Sequence, residues 1–375
     1  MIYLDYNATT PVLPEVREAI MPYLTSEWGN PSSSYRIGAK TKTAVDQARA
    51  QVARLVAAKP SEIVFTSCAT EANNAAINSA LATNPRKKHI ITSQVEHSSV
   101  LHFCEVLSTR GYDVTFLPVS AEGLVDLQQL EANIGPDTAV VSLMWANNET
   151  GVVSPVRDIG EICARRGVLF HCDAVQAAGK LPISFGDMAI DLLAISGHKL
   201  GAPKGVGALL VRDGVAFEPL LIGGKQESGR RGGTESVPLI VGFGVACEMA
   251  HLRPADAWER VSKLRDELEA ELITTLKGAY RNGGASLRLP NTSNFGIQGI
   301  DSDSLVTYCD AHGVCVSSGS ACMESAMAPS HVLLAMTGSH DRASEALRVS
   351  LGLETKLEEL LRLASLLRQF VALAQ

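Results

Sequence analysis

Lys199, in the stretch "SGHKLGAPKGVGALLV" (residues 196–211), stands just past an apolar run and inside a glycine-rich turn. Functional groups of open α/β sheets gather at the carboxyl ends of strands, facing the crevice. A lysine held there can form a Schiff base with a carbonyl; a solvated loop lysine is the simpler use of the same residue, so its company decides. Asp173 in "FHCDAVQAAG" also follows an apolar run. A carboxylate there can keep a pyridinium nitrogen protonated or cap a helix, and Gln176 can donate to a phenolic oxygen. "FTSCATEANN" (65–74) reads as a strand-to-helix turn with Ala69 and Thr70 at the helix start. Such a turn offers backbone N–H groups to a phosphate or merely caps itself. Ser196 and His198, beside the lysine, add two donors. His97 in "VEHSSV" opens another helix, where an imidazole can stack on a ring and move protons or serve structurally. Asn148 in "MWANNETGVV" brings an amide to a further strand end. Arg348 in "LRVSLG" is a charge between apolar neighbours, suited to clamping a substrate carboxylate or to a buried ion pair. Cys322, in "SSGSACMESA" (317–326), is either a small buried hydrophobe or a reactive thiol.

A lysine, an acid, a hydroxyl-rich turn, a histidine and an amide at five strand ends make up the set that pyridoxal 5'-phosphate (PLP) requires. The set predicts a PLP enzyme. The elements that must position it are legible as alternating strand-like and helical runs: "EIVFTS", "KHIITSQ", "TAVVSLMWA" and "GVLFHCDA", each followed by a helical pattern or a turn. That alternation predicts a mostly parallel sheet covered on both faces. "DLLAISG" and "GVGALLVR" lie only a short loop apart, which suits a hairpin-like addition to the sheet. After residue 254 the pattern changes to a long charged helix, "AWERVSKLRDELEAELITTLKG", then shorter elements and a last amphipathic helix. The division predicted is a large cofactor-binding domain over 14–254 and a small α+β domain from 1–13 and 255–375, the latter carrying the cysteine loop.

Composition bounds the function. The 375 residues are 46% hydrophobic and 19% charged, ordinary for a globular protein. A net charge of −7 without a basic run argues against a nucleic-acid or membrane surface and for a small-molecule substrate. No apolar run approaches the roughly 18 residues of a membrane span, and Asp5 stands where a signal peptide needs apolar residues, so a cytoplasmic protein is expected. The eight cysteines show no CxxC, which predicts reduced thiols and no metal site.

The stretches "YLDYNATTP", "GNPSSSYRIGAK", "FTSCATEANN", "EHSSV", "ANNETGVVSPV", "DAVQAAGK", "SGHKLGAPKGVGAL", "RRGGTESVP" and "SGSAC" resemble, in order and over nearly the whole chain, the signatures of the cysteine desulfurases of the NifS/IscS group, class V aminotransferase-like PLP enzymes. The resemblance implies a homodimer of the PLP-dependent transferase fold type I, with a mostly parallel seven-stranded sheet and the site between the two domains. It implies that Lys199 is the Schiff-base lysine, Asp173 the pyridinium partner, Gln176 the phenolate partner and His97 the stacking acid/base. Ala69, Thr70, Ser196 and His198 would cradle the phosphate, with Thr234 contributed across the dimer. Asn148 and Arg348 would orient the substrate. Sulfur from L-cysteine would pass to Cys322 as a persulfide, leaving L-alanine, and then to an acceptor protein in iron–sulfur cluster assembly or a thiolation pathway. A selenocysteine lyase shares this pattern, as do, more distantly, an aminotransferase and a non-catalytic sulfur-binding subunit. Cys68 stands where many relatives have glycine and reads as a small turn residue; Cys315 reads as core.

Overall fold

The computed structural model describes residues 1–254, 256–319 and 329–374. Its first strand, β1 (Ile2–Tyr3), pairs in parallel with β11 (Val314–Cys315), so distant parts of the sequence meet. Seven intervening runs form one sheet: β2 (Ile63–Thr66), β3 (His89–Ser93), β4 (Asp113–Leu117), β5 (Thr138–Met144), β6 (Leu169–Asp173), β7 (Leu192–Ser196) and β8 (Gly207–Val211). Their order is β2-β8-β7-β6-β5-β3-β4. Only β8 runs against its neighbours, the hairpin-like addition that its short connection to β7 predicts.

Every residue of β5 is buried, because helices cover both faces of the sheet and alternation would leave polar groups in a core. The side chains of β7 show the two faces. Leu193 and Ile195 enter one core with Val45, Val52 and Phe243 from the helices Arg36–Leu55 and Val237–His251. Leu192 and Ala194 enter another with Ala72 and Ala76 of the helix Ala69–Thr83. Small alanines let that helix lie close to the strands whose ends carry the site.

β4 is the strand that the apolar runs do not announce. It forms the edge of the sheet beside β3, and only Leu117 of its five residues is buried. A half-covered edge strand needs fewer apolar residues, so its pattern is weak.

A second, antiparallel sheet has the order β12 (Ser317–Ser318), β13 (Ala346–Ser350), β10 (Thr292–Ile297), β9 (Ala279–Arg281). The helices Ala257–Thr275 and Leu357–Ala374 pack on it through Leu268, Leu272, Leu363 and Leu367, and Leu4 from the chain start joins the same cluster. Cys315 departs from expectation: it is only partly buried, because its strand has one two-residue neighbour and no sheet beyond. No helix among the described residues is long and apolar enough to cross a membrane.

Candidate active site

The carboxyl ends of β2, β3, β5, β6 and β7 open into one cavity between the sheet and the chain start. Lys199, Asp173, Gln176, His97, Asn148, Ser196, His198, Ala69, Thr70 and Arg348 all line it. Each reaches it through the element that its sequence builds. Asp173 and Ser196 are the last residues of β6 and β7. Lys199 ends the single turn Gly197–Lys199 that leaves β7. His97 is the residue before the helix Ser98–Thr109 and caps it, its Nδ1 accepting from Ser99 N at 3.1 Å.

Ala69 and Thr70 begin the helix Ala69–Thr83, whose preceding residue, Cys68, gives no side-chain cap. Ala69 and Thr70 line the cavity, so the first-turn N–H groups that no side chain caps are available to an anion there. Gly207 on β8 makes the turn possible: a Cβ there would stand 2.9 Å from the main-chain carbon of Cys68 and 3.2 Å from Ala69 N. Cys68 itself is an extended, partly buried turn residue at the rim.

A chain of hydrogen bonds joins the acid to the imidazole. Asp173 Oδ2 accepts from Asn73 Nδ2 at 2.7 Å, the same amide donates to Ser99 Oγ at 2.9 Å, and Ser99 Oγ lies 2.8 Å from His97 Nδ1. Asp173 Oδ1 accepts from Val175 N at 3.0 Å. Both carboxylate oxygens are thus held by donors, which fixes the group while sparing lone pairs for the cavity. Because Nδ1 of His97 accepts from a main-chain N–H, the neutral ring carries its proton on Nε2.

Lys199 Nζ donates to Ala8 O at 2.7 Å and to Asn7 O. Gln176 Nε2 donates to the same Asn7 oxygen at 3.0 Å. The chain start is thereby tied to the lysine, and Thr10 extends the tie through His198 O. Ser196 Oγ is buried with no hydrogen-bond partner among the described residues, so a buried hydroxyl donor is left for something the cavity receives.

Arg348, on β13, is 1% exposed. Its Nη2 pairs with Asp5 Oδ1 at 2.7 Å and its Nη1 donates to Asn148 O at 3.2 Å, while Nε has no partner among the described residues. Both uses allowed by the sequence are therefore compatible: the ion pair exists, and the guanidinium still lines the cavity. Burial pushes the pKa of His97 below its ordinary value, opposed by the charge of Asp173, and burial with the Lys199 charge brings His198 down to about 4. Both rings are held toward neutrality next to the lysine.

One expected residue lies elsewhere: Thr234 lines a separate cavity with Ser67, Gly205 and Arg231. Cys322 lies outside the described residues. Four further residues make contacts that orient the site without a signal in the sequence: Asn7 and Asn73 bond partners far away in the chain, while Ser99 and Lys180 bond His97 and Gln176 close by through side chains that no motif marks. Only the invariable logic of a buried carboxylate needing donors could have asked for an Asn73. The assembled cavity can bind a phosphate at the open helix start, hold a protonated ring nitrogen on Asp173, donate to a ring oxygen from Gln176 and present an amine at Lys199.

The aminotransferase class-V family model matches residues 2–363. A cysteine desulfurase of Trichormus azollae is 52% identical over 94% of this chain and 88% of its own length. Among solved structures, a NifS-like protein superposes with a TM-score of 0.92 at 36% identity over 99% of both chains. A structure described as SspA in complex with cysteine gives a TM-score of 0.83 at 39% identity, over 94% of this chain and 99% of that one.

Proposed function

The chain belongs to the aminotransferase class-V family and, within it, to the cysteine desulfurases, and we propose that it uses PLP to move sulfur from L-cysteine to Cys322 and on to an acceptor protein. The observation that carries this reading is the convergence of Lys199, Asp173, Gln176 and His97 on one cavity beside a helix start with no side-chain cap and a Ser196 hydroxyl without a partner among the described residues.

In this reading Lys199 holds the cofactor covalently, Asp173 its ring nitrogen and Gln176 its ring oxygen, with His97 against the ring. Ala69, Thr70, Ser196 and His198 hold the phosphate, joined by the partner subunit's Thr234. When bound, PLP supplies an electron sink for the negative charge left on the substrate's Cα. Asp173, fixed by Asn73 and Val175, keeps the ring nitrogen protonated. Lys199 and His97 hold and move the protons at Cα and nearby, and the neutral His97 ring can accept one. Asn148 and Arg348 orient the substrate; Asp5 offsets part of the Arg348 charge, leaving donors for one carboxylate. Cys322, as thiolate, attacks the sulfur of L-cysteine. An S–S bond forms, the Cβ–S bond breaks, and its electron pair stays on carbon, which takes a proton to give L-alanine.

The chain is read as a large part, 14–254, and a small part, 1–13 with 255–375, acting as a homodimer in the cytoplasm. The exposed apolar side chains Trp28 and Ile222 support burial against a second copy. The acceptor belongs to iron–sulfur cluster assembly or a thiolation pathway.

The test is incubation of the PLP-loaded protein with L-cysteine, followed by alanine quantification and mass spectrometry. Alanine should appear together with one added sulfur on the peptide containing Cys322, and a Cys322→Ser variant should lose both. Turnover of selenocysteine with negligible turnover of cysteine would instead assign a selenocysteine lyase.

A further inference from the structure

Lys180, four residues after Gln176, has no part in the reaction outlined above, yet its amine reaches into the site from behind. Its Nζ donates to Gln176 Oε1 at 2.7 Å and lies 3.4 Å from Asn7 Oδ1. The residue keeps some exposure toward a second cavity, which it lines with Arg253 and Trp258. The strongest charges bearing on it are positive, those of Lys199, Arg348 and Arg253, and burial with their repulsion holds its pKa well below the ordinary lysine value. An amine in that surrounding is costly to keep charged, and its two contacts are to neutral amide oxygens, not to a carboxylate.

The contacts settle which way the Gln176 carboxamide faces. Asn7 O can only accept, so the Gln176 atom 3.0 Å from it is the NH2 group. The Oε1 atom then faces Lys180, which donates an N–H whether it is charged or neutral. With one N–H on Asn7 O, the second N–H of the same NH2 is left for the cavity that Gln176 lines. Asn7 is braced likewise: its Oδ1 accepts from Asn291 Nδ2 at 3.1 Å, its Nδ2 donates to Thr292 Oγ1 at 2.8 Å, and its main-chain oxygen also receives Lys199 Nζ.

We propose that Lys180 is a positioning residue, which fixes the Gln176 carboxamide with its NH2 toward the cofactor and braces the side chain of Asn7, the residue whose main-chain carbonyl Gln176 and Lys199 share. The inference rests on the reading of Gln176 as the donor to the PLP ring oxygen. Without Lys180, Oε1 is buried without a donor, the amide can turn, and the ring oxygen loses its fixed partner.

The measurement is the pH midpoint of the visible absorbance change of the PLP-loaded protein, taken without substrate. A donor to the ring oxygen favours the deprotonated chromophore, so Lys180→Met should raise the midpoint by about half a pH unit or more. Lys180→Arg, which keeps donors, should restore most of the shift. Gln176→Leu should raise the midpoint similarly, and the double variant Lys180→Met/Gln176→Leu should lie where Gln176→Leu lies. A midpoint unmoved by Lys180→Met, or shifts that add in the double variant, would overturn the proposal. An unsubstituted protein that gains no visible band with PLP would instead overturn the reading beneath it. A reading that needs no substitution comes from NMR of glutamine-labelled protein. The two Gln176 amide protons should stay separate and move on PLP addition; merged signals, or signals that PLP leaves in place, would overturn the proposal.

Discussion

Glu96, one residue before His97, is a buried acid whose charge the reaction does not use. Its Oε1 accepts from Ser93 Oγ at 2.7 Å and Met144 N at 3.1 Å, while Oε2 has no partner among the described residues. Burial outweighs these donors and pushes its pKa up to about 8. The folded protein therefore binds a proton that the unfolded chain has lost between pH 4.5 and 8, and stability from this group falls as pH rises through that window. Glu96→Gln keeps an acceptor for Ser93 and Met144 without the ionisation. Its melting temperature should match the unsubstituted protein near pH 5 and exceed it by about 2–4 °C at pH 9; equal melting temperatures at both pH values would refute the assignment. His171 and His198 act with the opposite sign. Burial brings each down to about 4, so the unfolded state binds the extra proton between pH 4 and 6.5 and stability falls as pH is lowered through that range. The protein should thus be squeezed from both sides, with no charge change on His198 near neutrality.

At the scale of elements, the turn between β2 and the helix Ala69–Thr83 depends on a glycine in a different strand. A Cβ on Gly207 would meet Cys68 C and Ile195 O, both main-chain atoms, at 2.9 Å. Neither can swing aside as a side-chain end can, so Gly207→Ala should displace the turn. About 1–3 kcal/mol of stability should be lost, and PLP should bind at least about tenfold more weakly while Lys199 is untouched. Equilibrium dialysis against PLP and urea unfolding give the two numbers, and unchanged PLP affinity would show that the turn does not hold the phosphate. The same element shows how much the sequence discloses. The runs that become β2, β3 and β5 to β8 were legible because burial on both faces demands continuous apolar residues, and the site residues at their ends were legible because they directly follow those runs. β4 was not, since an exposed edge carries little pattern. Asn7 and Asn73 were silent for another reason: they bond partners 192 and 100 residues away, and no local pattern encodes a pairing created by the closed fold.

At the scale of the whole molecule, the site is incomplete in one chain if the resemblance holds for Thr234. In the single chain that residue lines its own cavity, beside Arg231, which is bound to Glu71 of the helix Ala69–Thr83 at 2.9 Å. The loop before it is held in an unfavourable conformation. Glu227 and Ser228 both have positive φ, 50° and 59°, and the Glu227 carboxylate is gripped by Arg49 through two bonds of 2.7 Å and by Phe65 N at 2.9 Å. Strained backbone of this kind concentrates at functional segments, and Ile222 at its start is 90% exposed. A subunit-mixing experiment decides whether Thr234 completes a neighbour's site. Lys199→Ala and Thr234→Ala chains, each first assayed alone to establish its loss of alanine production, are unfolded together, refolded and loaded with PLP. If Thr234 acts across the dimer, each mixed dimer has one site with both lesions and one with neither. Random assembly makes half the dimers mixed, so alanine production should recover to about a quarter of the unsubstituted level. If Thr234 serves its own chain, every site contains at least one lesion and the mixture stays inactive.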